Sequence, residues 1–158
     1  MRGQFATIIV NIILFISAAI LTYLFVSSSY NSLNNINNAA ISRQELISNK
    51  LNTIIQIDSC AYDNSSRNLI LYVKNYGNTL LNQSNTVLFV NGYLKENITI
   101  NLVQCPNEIN IWAPNCIISI NTSWNSNGYY YIKVVSEYGV DDQKLIFVNV
   151  SSSICLVQ

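Results

Sequence analysis

Residues 68–79 read NLILYVKNYGNT. Leu69, Leu71 and Val73 alternate with Ile70, Tyr72 and Lys74, so one face is wholly apolar and the other mixed. That two-residue period belongs to a strand with one face on a core. Asn75-Tyr76-Gly77-Asn78 then gathers turn-forming residues and closes the run. A strand of this kind cannot bury its apolar face alone, so it requires partners. They follow downstream. Thr86–Val90 is a short β-rich run closed by Asn91-Gly92, a strong hairpin signal. Ile98–Gln104, Cys116–Ile120, Tyr129–Val135 and Leu145–Val150 have the same character, with breaks at Gly128 and Gly139. Six or seven short strands at this spacing predict an all-β, immunoglobulin-like sandwich over residues 58–158. A domain of about 100 residues has a small core, to which cross-links would add usefully.

Upstream of this domain the period lengthens. Leu33, Ile36, Ala40, Ile47, Leu51 and Ile54 recur at steps of three, four or seven, the mark of one helical face. Asparagines and charged residues fill most positions between them, and no proline intervenes. Residues 27–57 are therefore expected to form a helical stalk whose stripe packs on its own domain or on a partner subunit. Asn31–Asn38 is the weakest helix former within it.

Further upstream, residues 5–26 read FATIIVNIILFISAAILTYLFV, within a charge-free stretch from Gly3 to Ser42. At a helical rise of 1.5 Å per residue this run extends about 33 Å, enough for a hydrocarbon layer of about 30 Å. It is longer than the apolar part of a cleaved secretory signal, and no A-x-A-like site follows it. The reading is one long amino-terminal helix, transmembrane and then stalk, after a short tail over residues 1–4. Arg2 places the amino terminus in the cytoplasm and the sandwich outside, making a single-pass membrane protein.

The cysteines agree with an oxidising compartment. Cys60, Cys105, Cys116 and Cys155 all lie beyond the apolar run, and four cysteines allow three pairings. Cys105 and Cys116 bracket CPNEINIWAPNC and can close locally, which would leave Cys60 and Cys155 to join the two ends of the domain. Five Asn-x-Ser/Thr tripeptides begin at Asn64, Asn82, Asn97, Asn121 and Asn149, about as many as chance gives with this much asparagine.

Composition excludes several functions. Eight basic residues balance eight acidic ones, so no basic footprint for nucleic acid exists. Histidine is absent, and no C-x-x-C pair, G-x-S-x-G or glycine-rich phosphate loop occurs. No catalytic centre, cofactor, metal or small-molecule substrate is expected; the chain is not an enzyme. Trp112 and Trp124 suit either a sandwich core or an interface. In Tyr129-Tyr130-Tyr131 the alternation sends Tyr129 and Tyr131 to one face and Tyr130 to the other, divided between core and surface or serving recognition.

The run Asn68–Thr79 resembles the segment L-x-x-Y-V-K-N-x-G-x-T of the FlaG and FlaF proteins of the archaeal flagellum, the archaellum. The similarity continues through Val87–Gly92, Trp112-Ala113-Pro114, Asn127–Val135 and Glu137–Asp141. The anchor, the stalk and the Ile54–Asp58 entry to the sheet are similar too. The resemblance implies a non-enzymatic accessory protein that supports the archaellum motor at the cell surface, in the archaeal pseudoperiplasm. It also implies partners: the bilayer, identical or sister archaellum subunits packed along the stalk stripe, and a surface-layer protein. Arg2-Gly3-Gln4 resembles the start of the class III signal peptides of archaellins and archaeal pilins, which a membrane peptidase cuts between Gly3 and Gln4. That resemblance implies a filament subunit instead, although the glutamate expected five residues into the mature chain is Ile8.

Overall fold

The computed structural model describes residues 2–105 and 110–158, with side chains described from residue 8 onward. One helix, α1, runs from Arg2 to Asn52 without interruption, so the expected tail is helical from its second residue and the Asn-rich stretch stays helical. Propensity differences of a few tenths of a kcal/mol per residue do not end a helix that contains no proline. The chain divides into two compact units, Met1–Glu45 and Leu46–Gln158.

In the first unit every described apolar side chain of the span is exposed, including Phe15, Leu21 and Phe25 at 78%, 66% and 74%. A helix apolar on all sides is matched to lipid, and this is a helix long and apolar enough to cross a membrane. Two of its polar members are satisfied locally. Ser17 Oγ donates to the Ile13 carbonyl at 2.7 Å and Thr22 Oγ1 to that of Ala18 at 2.8 Å, so neither of these hydroxyls is open toward lipid.

The second unit starts with the last two helical turns and continues as an immunoglobulin-like β-sandwich. Its strands are β1 Ile55–Asp63, β2 Asn68–Asn75, β3 Leu81–Asn82, β4 Val87–Val90, β5 Tyr93–Leu94, β6 Ile98–Gln104, β7 Ile111–Trp112, β8 Ile117–Ser123, β9 Gly128–Val135, β10 Asp141–Asn149 and β11 Ile154–Val157. One sheet has the order β1-β2-β8-β6 and the other β11-β10-β9-β4-β5; β3 and β7 form a two-stranded ribbon. Neighbours pair antiparallel throughout. The core lies where the sheets face. Ile57, Leu69, Leu71, Val73, Ile118 and Ile120 come from the first sheet, and Leu88, Ile132, Val134, Ile146 and Val148 from the second.

The boundary between stalk and domain falls earlier than the sequence predicts. The helix ends at Asn52 and β1 begins at Ile55, because Ile55 and Ile57 turn inward and pair with Asn75 and Val73. Ile54 therefore stands after the helix, not on its stripe. β8 and β10 are also longer than their expected runs.

Candidate functional site: the joint beneath the last helical turn

The turn Asn75–Thr79 holds the end of the helix. A helix leaves its last carbonyls without intrahelical partners, and here the turn supplies them. Asn78 N donates to the Asn52 carbonyl at 2.9 Å, while Tyr76 N and Gly77 N both donate to Ile54 O at 2.7 and 3.0 Å. Thr79 Oγ1 and Thr53 Oγ1 converge on the Asn49 carbonyl at 3.2 and 2.7 Å. Lys50 adds a cation to this last turn, where the helix dipole favours one.

Asn75 organises the turn from beneath. It is fully buried. Its Nδ2 donates to the carbonyls of Thr79 at 2.8 Å and Trp112 at 3.2 Å, and its Oδ1 accepts from Gly77 N at 3.0 Å. Its own backbone exchanges bonds with Cys116 O and Asn115 N. Trp112, also fully buried, donates Nε1 to Cys116 O at 2.9 Å. Cys116 is bonded in turn to Cys105 at the end of β6, with the Cα atoms 5.2 Å apart. A continuous path of directional bonds thus leads from the helix end into the sheet.

Gly77 is set by space. It lies outside the positive-φ residues, yet a Cβ there would meet the backbone of Asn52, Thr53 and Ile54, 2.5 Å from Ile54 N. Only a glycine lets the turn lie this close to the helix end. Beside it, Tyr76 Oη donates to the Asp58 carboxylate at 3.3 Å, and the Lys74 ammonium sits over the Tyr76 ring at 4.5 Å.

A second fixed point lies at the sheet edges. Cys60 of β1 and Cys155 of β11 are bonded, with Cα atoms 5.6 Å apart. Nearby, Ile57 N donates to Asp142 Oδ2 at 2.8 Å, so this acidic side chain ties one sheet to the other. Trp124 belongs to the core at the far end of β8, with its ring edge-on to Tyr130 at 4.6 Å and Tyr62 Oη donating to its carbonyl. Both tryptophans are therefore interior, a choice the sequence leaves open. Tyr129 and Tyr131 are 60% and 56% exposed on the outer face of the five-stranded sheet, where Tyr129 packs on Phe147.

Of the stalk stripe, Leu33, Ile36 and Ala40 in the first unit and Ile47 and Leu51 in the second are all solvent-exposed, as is Ile54. The side chains of Gly3 and Gln4 and residues 106–109 of the CPNEINIWAPNC loop lie outside those described. Among the described residues no group of three or more histidines, cysteines or acids could hold a metal ion. The sequence motif 68–79 points to the joint, but only as a turn; that its asparagine is buried and its glycine faces the helix depends on residues 20 and more positions away.

These features define a class: a membrane-anchored β-sandwich whose directional groups hold the domain together. No family model matches the chain. The sequence is homologous to flagella-related protein G of Methanocaldococcus jannaschii, 28% identical over 136 residues that cover 84% of this chain and 87% of that one. Among solved structures, the archaellum periplasmic stator protein FlaG from Sulfolobus acidocaldarius is 25% identical, with a TM-score of 0.45, covering 59% of this chain and 98% of that one.

Proposed function

We propose that the chain is a non-enzymatic structural component of the archaeal motility machinery, an anchored accessory protein that supports the archaellum motor at the cell surface. The observation that carries this reading is the near full-length match to a flagella-related protein. The joint gives it a physical form. A load applied to the sandwich passes into the last helical turn through several hydrogen bonds and a buried asparagine, with no free linker after Asn52. Arg2 and the two disulfides, which need an oxidising compartment, support an amino terminus in the cytoplasm and the sandwich outside. The exposed Leu33, Ile36, Ala40, Ile47, Leu51 and Ile54 are available for identical or sister subunits, and the sandwich for a surface-layer protein.

Deletion of the gene is expected to abolish swimming while archaellum filaments, or partial ones, are still made. Purified surface filaments composed of this chain would overturn the reading. They would favour a filament subunit cut between Gly3 and Gln4, for which Arg2-Gly3-Gln4 is the specific support. The mass of the mature protein separates the two, since an accessory protein keeps Met1 and a processed subunit starts at Gln4.

A further inference from the structure

Five Asn-x-Ser/Thr tripeptides occur in the chain, a number that composition alone explains. The fold separates them. An asparagine can carry a sugar only where the folded chain leaves its amide in solvent, and a transferase must also reach the hydroxyl two residues on. Asn121 fails first. It lies within β8, paired to Ile70 of β2 on one side and to Thr99 of β6 on the other, and its Oδ1 is buried. Asn149 is half-buried, and its Oδ1 accepts from Ser151 N and Ser152 N at 3.1 and 3.2 Å. Asn82 is exposed, but its Oδ1 caps the single helical turn Gln83–Asn85 through Ser84 N at 3.0 Å. Asn64 is exposed in the β1–β2 turn, where the hydroxyl of its tripeptide is already engaged: Ser66 Oγ donates to Asp63 Oδ2 at 2.7 Å.

Asn97-Ile98-Thr99 differs from all four. Asn97 and Thr99 are both exposed, and among the described residues neither side chain makes a hydrogen bond. The backbone beneath them is fixed. Ile98 N donates to Glu96 O at 3.1 Å, closing a three-residue turn centred on Asn97, and Thr122 Oγ1 donates to the Asn97 carbonyl at 3.2 Å. Ile98 pairs with Thr122 near the end of β8, whereas the joint holds Cys116 just before that strand begins. Asn97 therefore lies at the end of the sandwich away from the joint.

From this geometry we infer that Asn97 is an N-glycosylation site. It is the acceptor for an oligosaccharide carried on a polyisoprenyl phosphate or diphosphate and transferred by a membrane glycosyltransferase. Asn97 Nδ2 attacks the anomeric carbon of the sugar; a C–N bond forms and the C–O bond to the lipid phosphate breaks. The lipid phosphate leaves with the bonding pair and Nδ2 gives up one proton, so nothing is oxidised or reduced. Asn121 and Asn149 stay unmodified in the folded chain. A neutral, hydrated sugar suits a protein with only 10% charged residues, whose solubility rests on uncharged polar groups. The inference rests on the outward orientation proposed above, since sequons of this kind are modified on chains that leave the cytoplasm.

The test uses the full chain purified from the membranes of the cells that make it, digested with chymotrypsin and read by mass spectrometry. Cleavage after Leu94 and Leu102 leaves Asn97 on a peptide of residues 95–102, apart from Asn121. That peptide is expected to carry sugar on most copies. Asn97→Gln and Thr99→Val are each expected to abolish the sugar-bearing form, and Thr99→Ser to retain it. Valine suits an exposed strand position, so Thr99→Val keeps the fold and isolates the role of the hydroxyl. A bare Asn97 in chains whose Lys133 reacts with an impermeant amine reagent on intact cells would overturn the inference and leave the motility reading standing. Lys133 that reacts only after lysis would overturn both. Sugar that persists on residues 95–102 in Asn97→Gln or in Thr99→Val would overturn the assignment to this tripeptide.

Discussion

The joint rests on a few side chains whose replacement has different consequences. Asn75→Ala would leave Gly77 N and the Thr79 and Trp112 carbonyls with a buried partner removed, a loss of about 2–4 kcal/mol. Gly77→Ala keeps every hydrogen-bonding group but places a methyl on the backbone of Thr53 and Ile54; overpacking of this kind costs about 2 kcal/mol or more. Denaturant unfolding followed by fluorescence of Trp112 and Trp124, both inside the sandwich, measures each change. Tyr76 adds a pH dependence. Desolvation, and after it the Asp58 carboxylate, raise its phenol above the ordinary 10.0. The folded chain then holds this proton more tightly than the unfolded one. The stability linked to it is full below about pH 10 and is lost as pH rises through the raised value. Tyr76→Phe has no such proton, so its unfolding midpoint should fall less than the parent's between about pH 9 and pH 11.

Between elements, the disulfides do unequal work. Cys60–Cys155 closes a loop of 95 residues and Cys105–Cys116 one of 11. Loop-closure entropy assigns them about 4.7 and about 2.8 kcal/mol. Paired cysteine-to-alanine variants should therefore show the larger loss of unfolding free energy for 60/155. Equal losses would mean that the denatured chain is compact enough to bring β1 and β11 together without the bond. Strong periods made α1, β2 and β9 legible in the sequence, and Asn91-Gly92 marked the turn that follows β4, because each is a local pattern. β3, β5 and β7 are two residues long, too short for any period to register. β11 follows Ser151–Ser153 as a four-residue run with no flanking pattern. The joint was illegible for another reason. Asn75-Tyr76-Gly77 reads only as a turn, whereas Gly77, which has no positive φ, is required by the nearness of the helix end. Asp142 lies 85 residues from Ile57 in sequence, and only the fold brings it to that backbone N–H.

At the scale of the whole molecule, the scarcity of charge has a direction that can be tested. All five lysines, Lys50, Lys74, Lys95, Lys133 and Lys144, lie beyond the apolar span, as do all four cysteines; only Arg2 and the terminal amine precede it. A helix apolar on every side fixes the chain in the bilayer, so the two flanks of the span face different compartments. Disulfides persist where thiols are not continuously reduced, so the flank that holds Cys60–Cys155 and Cys105–Cys116 is the outer one in the proposed orientation. Lys50 is exposed in the last helical turn and Lys133 is 41% exposed on the sandwich. A membrane-impermeant amine reagent applied to intact cells should label both, as read in tryptic peptides, while the amino terminus reacts only after lysis. Maleimide added without reductant should find no free thiol. Lysines that react only in broken cells, together with reactive cysteines, would turn the sandwich to the cytoplasm. A sandwich there could not reach a surface layer, and the proposed support of the motor from outside would fail with it.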